Sequence, residues 1–481
     1  MALIFSLVAV FLLTLDNTDL IHSHEARAAQ NAQRMLTTGE WGLLRLYDGR
    51  LDLQKPPAYY WCVALLSYWL SNGQVTVWTT RLPAALMGIG CVALLYAFMR
   101  ANGRRRGAII AAVTLATAIH FTAISRTARI DIPLTTMVLA AVVSFYYGCR
   151  VAVASTGWAY LPWHVGAGLC MGVAALLKGP VGPALIAAAA GLWWLTAWRR
   201  LPALSWLVIP GVAGGVALPW FLWANQVTTG ELFRVFILHH TLARFSGTSP
   251  QLAVHPWWFY LPRFCLDFLP WSPLVGYLAA YGTAQRLWKT DTLLQLAVAG
   301  FAGIFLLLST AQFKRADYLL PAYPFAALLV GCAGDDWLRR HAGSWQQWGW
   351  RLFQSMAGLT LCGWVINISI IEPQSHDGTD KANFAALVRQ QAPAPQTIIQ
   401  FRLEDHLLSF RLGLPLETLV EWVDLRNRLE APGPHYVLMP KEYVYPAMQI
   451  ITGKRWSVRA ESPVWSMRRA STYSYVLLCV E

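Results

Sequence analysis

The chain has 481 residues, 56% of them apolar and only 13% charged, against about 25% charged in soluble proteins. With 24 tryptophans and a mean hydropathy of +0.41, it is not a disordered chain, a secreted disulfide scaffold or an ordinary soluble enzyme, but a polytopic membrane protein. The net charge of +13 points first to basic cytoplasmic loops and second to anionic lipid headgroups. No helix-turn-helix, zinc-finger or RNA-binding signature is present, so no nucleic-acid partner is expected.

A spanning helix needs roughly 20 mainly apolar residues. Such runs occupy 2–15, 82–99, 107–120, 132–150, 162–177, 180–198, 203–224, 269–285, 292–309, 318–334 and 352–372, about eleven in all. The first is short and lacks a basic leader, so it reads as a truncated span in preference to a signal peptide. Between it and the second run, residues 16–81 form a long loop. Within that loop Ala28, Ala29, Ala32, Met35 and Leu36 have helical spacing, and the apolar run 58–70 is too short to span. Both segments are expected at the membrane interface.

Basic residues alternate between loops: Arg100 and Arg104–Arg106, then Arg199 and Arg200, Arg286 and Lys289, Arg339, Arg340 and Arg351. Those loops are expected in the cytoplasm, with the N-terminus, which leaves residues 373–481 outside the plasma (inner) membrane. That last stretch is more polar. Its β-like runs at 397–402, 434–439 and 474–480 alternate with helix-like segments near 404–412 and 441–449. The expected architecture is therefore mainly α: a transmembrane helical bundle over 1–372 with a small extracytoplasmic α/β domain over 373–481. The eight cysteines form no CxxC pair and read as small apolar filler.

Candidates for chemistry cluster in the loops assigned to the outer side. His24-Glu25 follows Ser23, a candidate helix cap, and a helix N-terminus favours an anionic Glu25 and a neutral His24; both could then accept a proton. Asp131 sits at the mouth of the fourth run. Lys178, Lys314 and Arg315 break the charge alternation, and Lys55 is a further outer cation; basic residues at an outer boundary invite an anionic partner such as a lipid-linked phosphate. Headgroup snorkelling is the plainer reading of each. His239, His240 and His255 match no strong zinc spacing, so no metal is assigned, although a divalent ion is not excluded by residue type. Trp257, Trp258 and Tyr260 suit an interfacial belt or a sugar-stacking surface.

The ordered anchors Glu25-Ala26-Arg27, Gly39-Glu40-Trp41, Lys55-Pro56-Pro57 with Tyr60-Trp61, Arg81-Leu82-Pro83, Ala128-Arg129-Ile130-Asp131 and Lys178-Gly179-Pro180 carry a resemblance. So do His240, Arg244-Phe245, Trp257 to Pro262, and Lys314 with Tyr318-Leu319-Leu320-Pro321. Together they resemble the GT-C-type integral-membrane glycosyltransferases, in the branch of the lipid A aminoarabinose transferase and the protein O-mannosyltransferases. The resemblance implies a polyprenyl-phosphate sugar donor and inverting transfer to a lipid, glycan or protein acceptor on the outer face. On that basis the catalytic candidates are Glu25, His24 and Asp131. The substrate-binding candidates are Lys55, Tyr60, Lys178, His240, Arg244, Lys314, Arg315 and Tyr318. The chain departs from the family pattern at His24, where an Asp is usual, and at Gln54, where a Glu often precedes Lys-Pro-Pro and helps hold a metal in some relatives. These departures keep open an alternative, a non-catalytic protein that binds or moves lipid-linked sugars. No P-loop or GxGxxG element calls for a nucleotide.

Overall fold

The computed structural model describes residues 8–20, 23–154, 157–197, 201–248, 253–341, 343–374, 379–466 and 472–481. Residues 2–7 of the first apolar run, and Arg199 and Arg200, lie outside that set. The described chain forms two compact units. The first comprises residues 1–15, 53–62 and 81–369, and the second 16–52, 63–80 and 370–481.

The first unit is helical. Seven described helices are long and apolar enough to cross a membrane: Val77–Ala101, Asp131–Ala154, Leu161–Lys178, Ser205–Val227, Thr292–Thr310, Ala316–Arg340 and Ser344–Gln374. Arg105–Thr117 and Ile119–Ser125 together make an eighth, bent by 65°. The bend follows from Ala118, whose extended backbone (φ −64°, ψ 121°) ends one helix and starts the next. The runs at 180–198 and 269–285 fold as the shorter helices Val181–Ala197 and Ser272–Ala284. Small residues let neighbours approach closely. A side chain at either Gly107 or Gly331 would meet the other's carbonyl oxygen, which is how Arg105–Thr117 lies against Tyr323–Arg340.

The second unit joins the helix Ser23–Thr38 to an α/β fold. Its five-stranded sheet has the order β2-β1-β3-β7-β4, with β1 Ile398–Phe401, β2 Leu416–Leu419, β3 His435–Pro440, β4 Trp456–Glu461 and β7 Tyr475–Val480. The short strands β5 (Trp465–Ser466) and β6 (Thr472–Tyr473) pair separately. β2, β1 and β3 run parallel, while β7 is antiparallel to both β3 and β4. Central β1 and β7 are wholly buried, and β7 reads as a continuous apolar run. β2 and β4 are half-exposed edges with mixed side chains, and their sequences gave no strand signal. Two apolar clusters cover the two sheet faces, one around Phe384, Leu408 and Leu477 and one around Phe401, Leu425 and Leu478.

Candidate active site

In the first unit the helix Leu161–Lys178 ends at Gly179, whose φ of +64° turns the chain sharply into Pro180 and the next helix. A side chain at Gly179 would also strike the ring of Phe236. The turn fixes Lys178 at the rim of the bundle. Its Nζ lies 2.5 Å from Asp131 Oδ1 and 4.3 Å from the centre of the Tyr318 ring. Asp131 opens its own helix and is buried, with Arg129 Nε 3.5 Å from its second oxygen.

Behind this pair runs a longer ionic chain that sequence reasoning missed. Arg129 also pairs with Asp317, which accepts from Arg315 at 3.3 Å and lies 3.2 Å from His120 Nε2. The other ring nitrogen of His120 is 3.2 Å from the Tyr323 hydroxyl and 3.9 Å from Asp267 Oδ2. Arg263 donates to Asp267 at 3.0 Å. Burial raises the Asp267 carboxyl above the usual range, against the pull of His120 and Arg263. Three carboxylates and five basic side chains thus form one network, assembled from segments 120–131, 263–267 and 315–323 with Lys178.

In front of Lys178 lies a cavity of about 150 Å³. It is lined by the polar side chains of Gln54, Lys55, Lys178, His240, Arg244 and Tyr318 and by the apolar ones of Val181, Leu185, Phe236, Leu307 and Leu308. Phe236, His240 and Thr241 come from a π-helix over Phe233–Leu242, a wound form often found at functional sites. Arg244 is positioned through its backbone, since its carbonyl accepts from Phe313 N and its guanidinium lies 5.8 Å from the Phe313 ring. Lys55 has no carboxylate partner within the described residues. Burial, then the charge of Lys178, with Arg244 and Arg315 adding to it, pushes its ammonium down to about 7 despite the opposing pull of Asp131.

Lys55, Lys178, His240, Arg244 and Tyr318 therefore share one cavity, with Asp131 directly behind Lys178. Arg315 is engaged with Asp317 and does not line the cavity. Lys314 does not line it either: its ammonium donates to the carbonyls of His255 (3.1 Å) and Ala311, clamping two loops together, and burial lowers its pKa. Tyr60 is buried, with its ring 6.3 Å from that of Tyr59. His24 and Glu25 belong to the second unit, in the first turn of Ser23–Thr38, where Glu25 is buried. Ser23 is itself the first helical residue described there. The rings of His239 and His240 adjoin at 5.1 Å, while His255 packs on Phe259. Among the described residues no three His, Cys, Asp or Glu side chains converge as metal ligands.

Chemically, a cavity that combines basic side chains with apolar walls suits an amphiphile with a phosphate head. Comparison with known proteins agrees in kind. The dolichyl-phosphate-mannose-protein mannosyltransferase family profile matches residues 2–269. An undecaprenyl phosphate-α-4-amino-4-deoxy-L-arabinose arabinosyl transferase of Pseudomonas paraeruginosa is 31% identical over 347 residues, 69% of this chain and 58% of that protein. The enzyme of the same name from Pseudomonas aeruginosa is 30% identical over 340 residues, 67% of this chain and 57% of the relative. The chain thus spans under two thirds of the length of these relatives. Among solved structures, ArnT from Cupriavidus metallidurans bound to undecaprenyl phosphate superposes with a TM-score of 0.75 at 20% identity, over 99% of this chain and 97% of that one. The oligosaccharyltransferase of Archaeoglobus fulgidus gives 0.54 at 12% identity, over 86% and 64%. At those identities the likeness is one of fold.

Proposed function

Because the chain belongs to the dolichyl-phosphate-mannose-protein mannosyltransferase family, we propose that it is a glycosyltransferase that moves a sugar from a polyprenyl-phosphate donor to a lipid, glycan or protein acceptor. The single observation that carries this reading is the cavity that brings Lys55, Lys178 and Arg244 together with apolar walls. The names of the arabinosyl transferases support the donor class. The reaction takes place on the outer face of the inner membrane, with the N-terminus cytoplasmic and the α/β unit outside.

In the proposed step the acceptor oxygen attacks the anomeric carbon, and the bond from that carbon to the phosphate oxygen breaks with inversion. The electron pair stays on the phosphate, and the acceptor proton passes to a base, for which Glu25 and His24 are the candidates that the sequence supplies. Lys55, Lys178 and Arg244 neutralise the charge that grows on the phosphate; such preorganised donors are worth about 3 kcal/mol each. Asp131 is held by two cations, so its role in this scheme is to aim Lys178 and not to take the proton. His240 and Tyr318 border the sugar-phosphate. Lys314 and Arg315 act at one remove, by fixing the loops that carry Tyr318.

The test is mass spectrometry of membrane lipids and surface glycans with and without the protein. A pentose or hexose increment should vanish on deletion, return with the wild-type chain and fail to return with Glu25→Gln. An unchanged glycan profile, with a changed level of prenyl-phosphate sugar, would sink the transferase reading in favour of lipid handling.

A further inference from the structure

A second cavity opens at the far end of the helical unit. The helix Arg105–Thr117 leads from this end towards His120, and Tyr323–Arg340 returns from beside His120 to it. The cavity, about 370 Å³, is lined by Arg106, Ile109, Leu338, Gln346, Gln347 and Trp350. Its electrostatics are lopsided. The three carboxylates at this end are already taken: Asp291 and Asp335 by Arg104, Asp335 also by Arg339, and Asp336 by Arg340. Arg106 is left with no acidic partner among the described residues. Gln346 donates its amide to the Leu338 carbonyl at 2.8 Å, which leaves its oxygen as an acceptor. The Gln347 amide and the Trp350 indole N–H have no partner among the described residues.

The depth of the cavity is marked by tryptophans. Trp345 and Trp348, both well exposed, flank the lining residues in the first turns of Ser344–Ile366, and Trp350 forms part of the wall. Clustered indoles of this kind lie at the level of lipid headgroups. Ile109 and Leu338 supply apolar walls that a free anion has no use for.

We propose that this cavity is a binding site for an anionic glycerophospholipid, separate from the donor cavity. Arg106 holds the phosphodiester, the Gln347 amide and the Gln346 oxygen meet the glycerol headgroup, and Ile109, Leu338 and Trp350 take the first methylenes. The inference does not depend on the transferase reading.

The test is native mass spectrometry of the intact chain released from bilayers of equal phosphatidylglycerol and phosphatidylcholine. Wild type retains phosphatidylglycerol in preference to phosphatidylcholine. A basic residue at the membrane surface contributes on the order of a fivefold gain for anionic lipid, so Arg106→Ala should cut the preference by about fivefold. Arg105→Ala removes an equal charge from the neighbouring exposed residue, which does not line the cavity, and should leave the preference intact. Gln347→Glu should lower it by placing a carboxylate beside Arg106. Equal retention of the two lipids, or equal effects of Arg105→Ala and Arg106→Ala, would overturn the site in favour of a diffuse field. Displacement of the lipid by millimolar inorganic phosphate would likewise overturn it and point to a free anion.

Discussion

Lys178 Nζ and Asp131 Oδ1 stand 2.5 Å apart, both on nearly buried side chains, and the Tyr318 ring covers the ammonium. The basic side chains of the cavity beside Lys178 are therefore not a set of loose charges. One of them is aimed by a carboxylate that opens a different helix. Removing one partner of such a pair strands the other charge away from water.

Asp131→Asn and Lys178→Met should accordingly each destabilise the chain, by about 3 kcal/mol on the scale of broken buried pairs. The double variant Asp131→Asn/Lys178→Met removes both charges and should regain most of that loss in thermal unfolding in detergent. Transfer should stay low in all three. Additive losses in the double variant would show that the two groups are not coupled.

Lys55 leads to a prediction about pH. Its folded pKa of about 7 lies below that of a free lysine, so the folded state disfavours the proton. Between about 7 and the ordinary lysine value near 10.5, the unfolded chain holds a proton that the folded one lacks, and stability rises with pH. Below about 7 both hold it, and the contribution is flat. A bound phosphate restores the charge, so binding takes up a proton. Affinity for undecaprenyl phosphate should be level below pH 7 and fall by up to tenfold per unit above it. Lys55→Arg should flatten that fall, which equilibrium binding at pH 6, 7, 8 and 9 would check.

Asp317 and Asp267 both face His120, yet they should respond differently. Asp317 is the shared counter-charge of Arg129, Arg315 and His120, so Asp317→Asn should cost about 3 kcal/mol. Asp267 Oδ2 is buried with no hydrogen-bond partner among the described residues, and its carboxyl is raised. A carboxyl with a raised pKa costs stability as pH climbs from the ordinary range through its folded value. Asp267→Asn should therefore lie within about 1 kcal/mol of wild type near pH 7, because the half-exposed Arg263 loses a partner while His120 keeps Asp317. Thermal midpoints of the two variants at pH 5 and pH 8 separate these cases.

The bundle was legible because a bilayer demands long apolar runs, and most of each run became helix where it is described. Lys178 was legible because it broke the charge alternation. The same cue flagged Lys314 and Arg315, but charge alone does not say where a long side chain finds its acceptor; Lys314 turned to two carbonyls and Arg315 to Asp317. His120, Asp267 and Asp317 were passed over because each is unremarkable in its own segment. Their meaning arises only when three loops close on one another. Asp317 did carry a faint signal, as the acid two residues after Arg315 in a loop otherwise basic. In the α/β unit the buried central strands announced themselves, whereas β2 and β4, at the sheet edges, had no need of an apolar run.

His24 supplies the last prediction. It stands beside buried Glu25 in the first turn of Ser23–Thr38, at a position where the family resemblance implies an Asp. Imidazoles titrate near 6.5 and carboxyls near 4. If the histidine takes the acceptor proton, the transfer rate falls on the acid side as the imidazole is protonated. His24→Asp should move that limb down by about two units while keeping the rate at pH 8 within about tenfold. If Glu25 takes the proton, His24→Asp leaves the limb in place, and Glu25→Gln abolishes transfer at every pH. A pH–rate profile of wild type and the two variants, with one donor and one acceptor at saturation, assigns the base. A profile unchanged in both variants would exclude this pair from the chemistry.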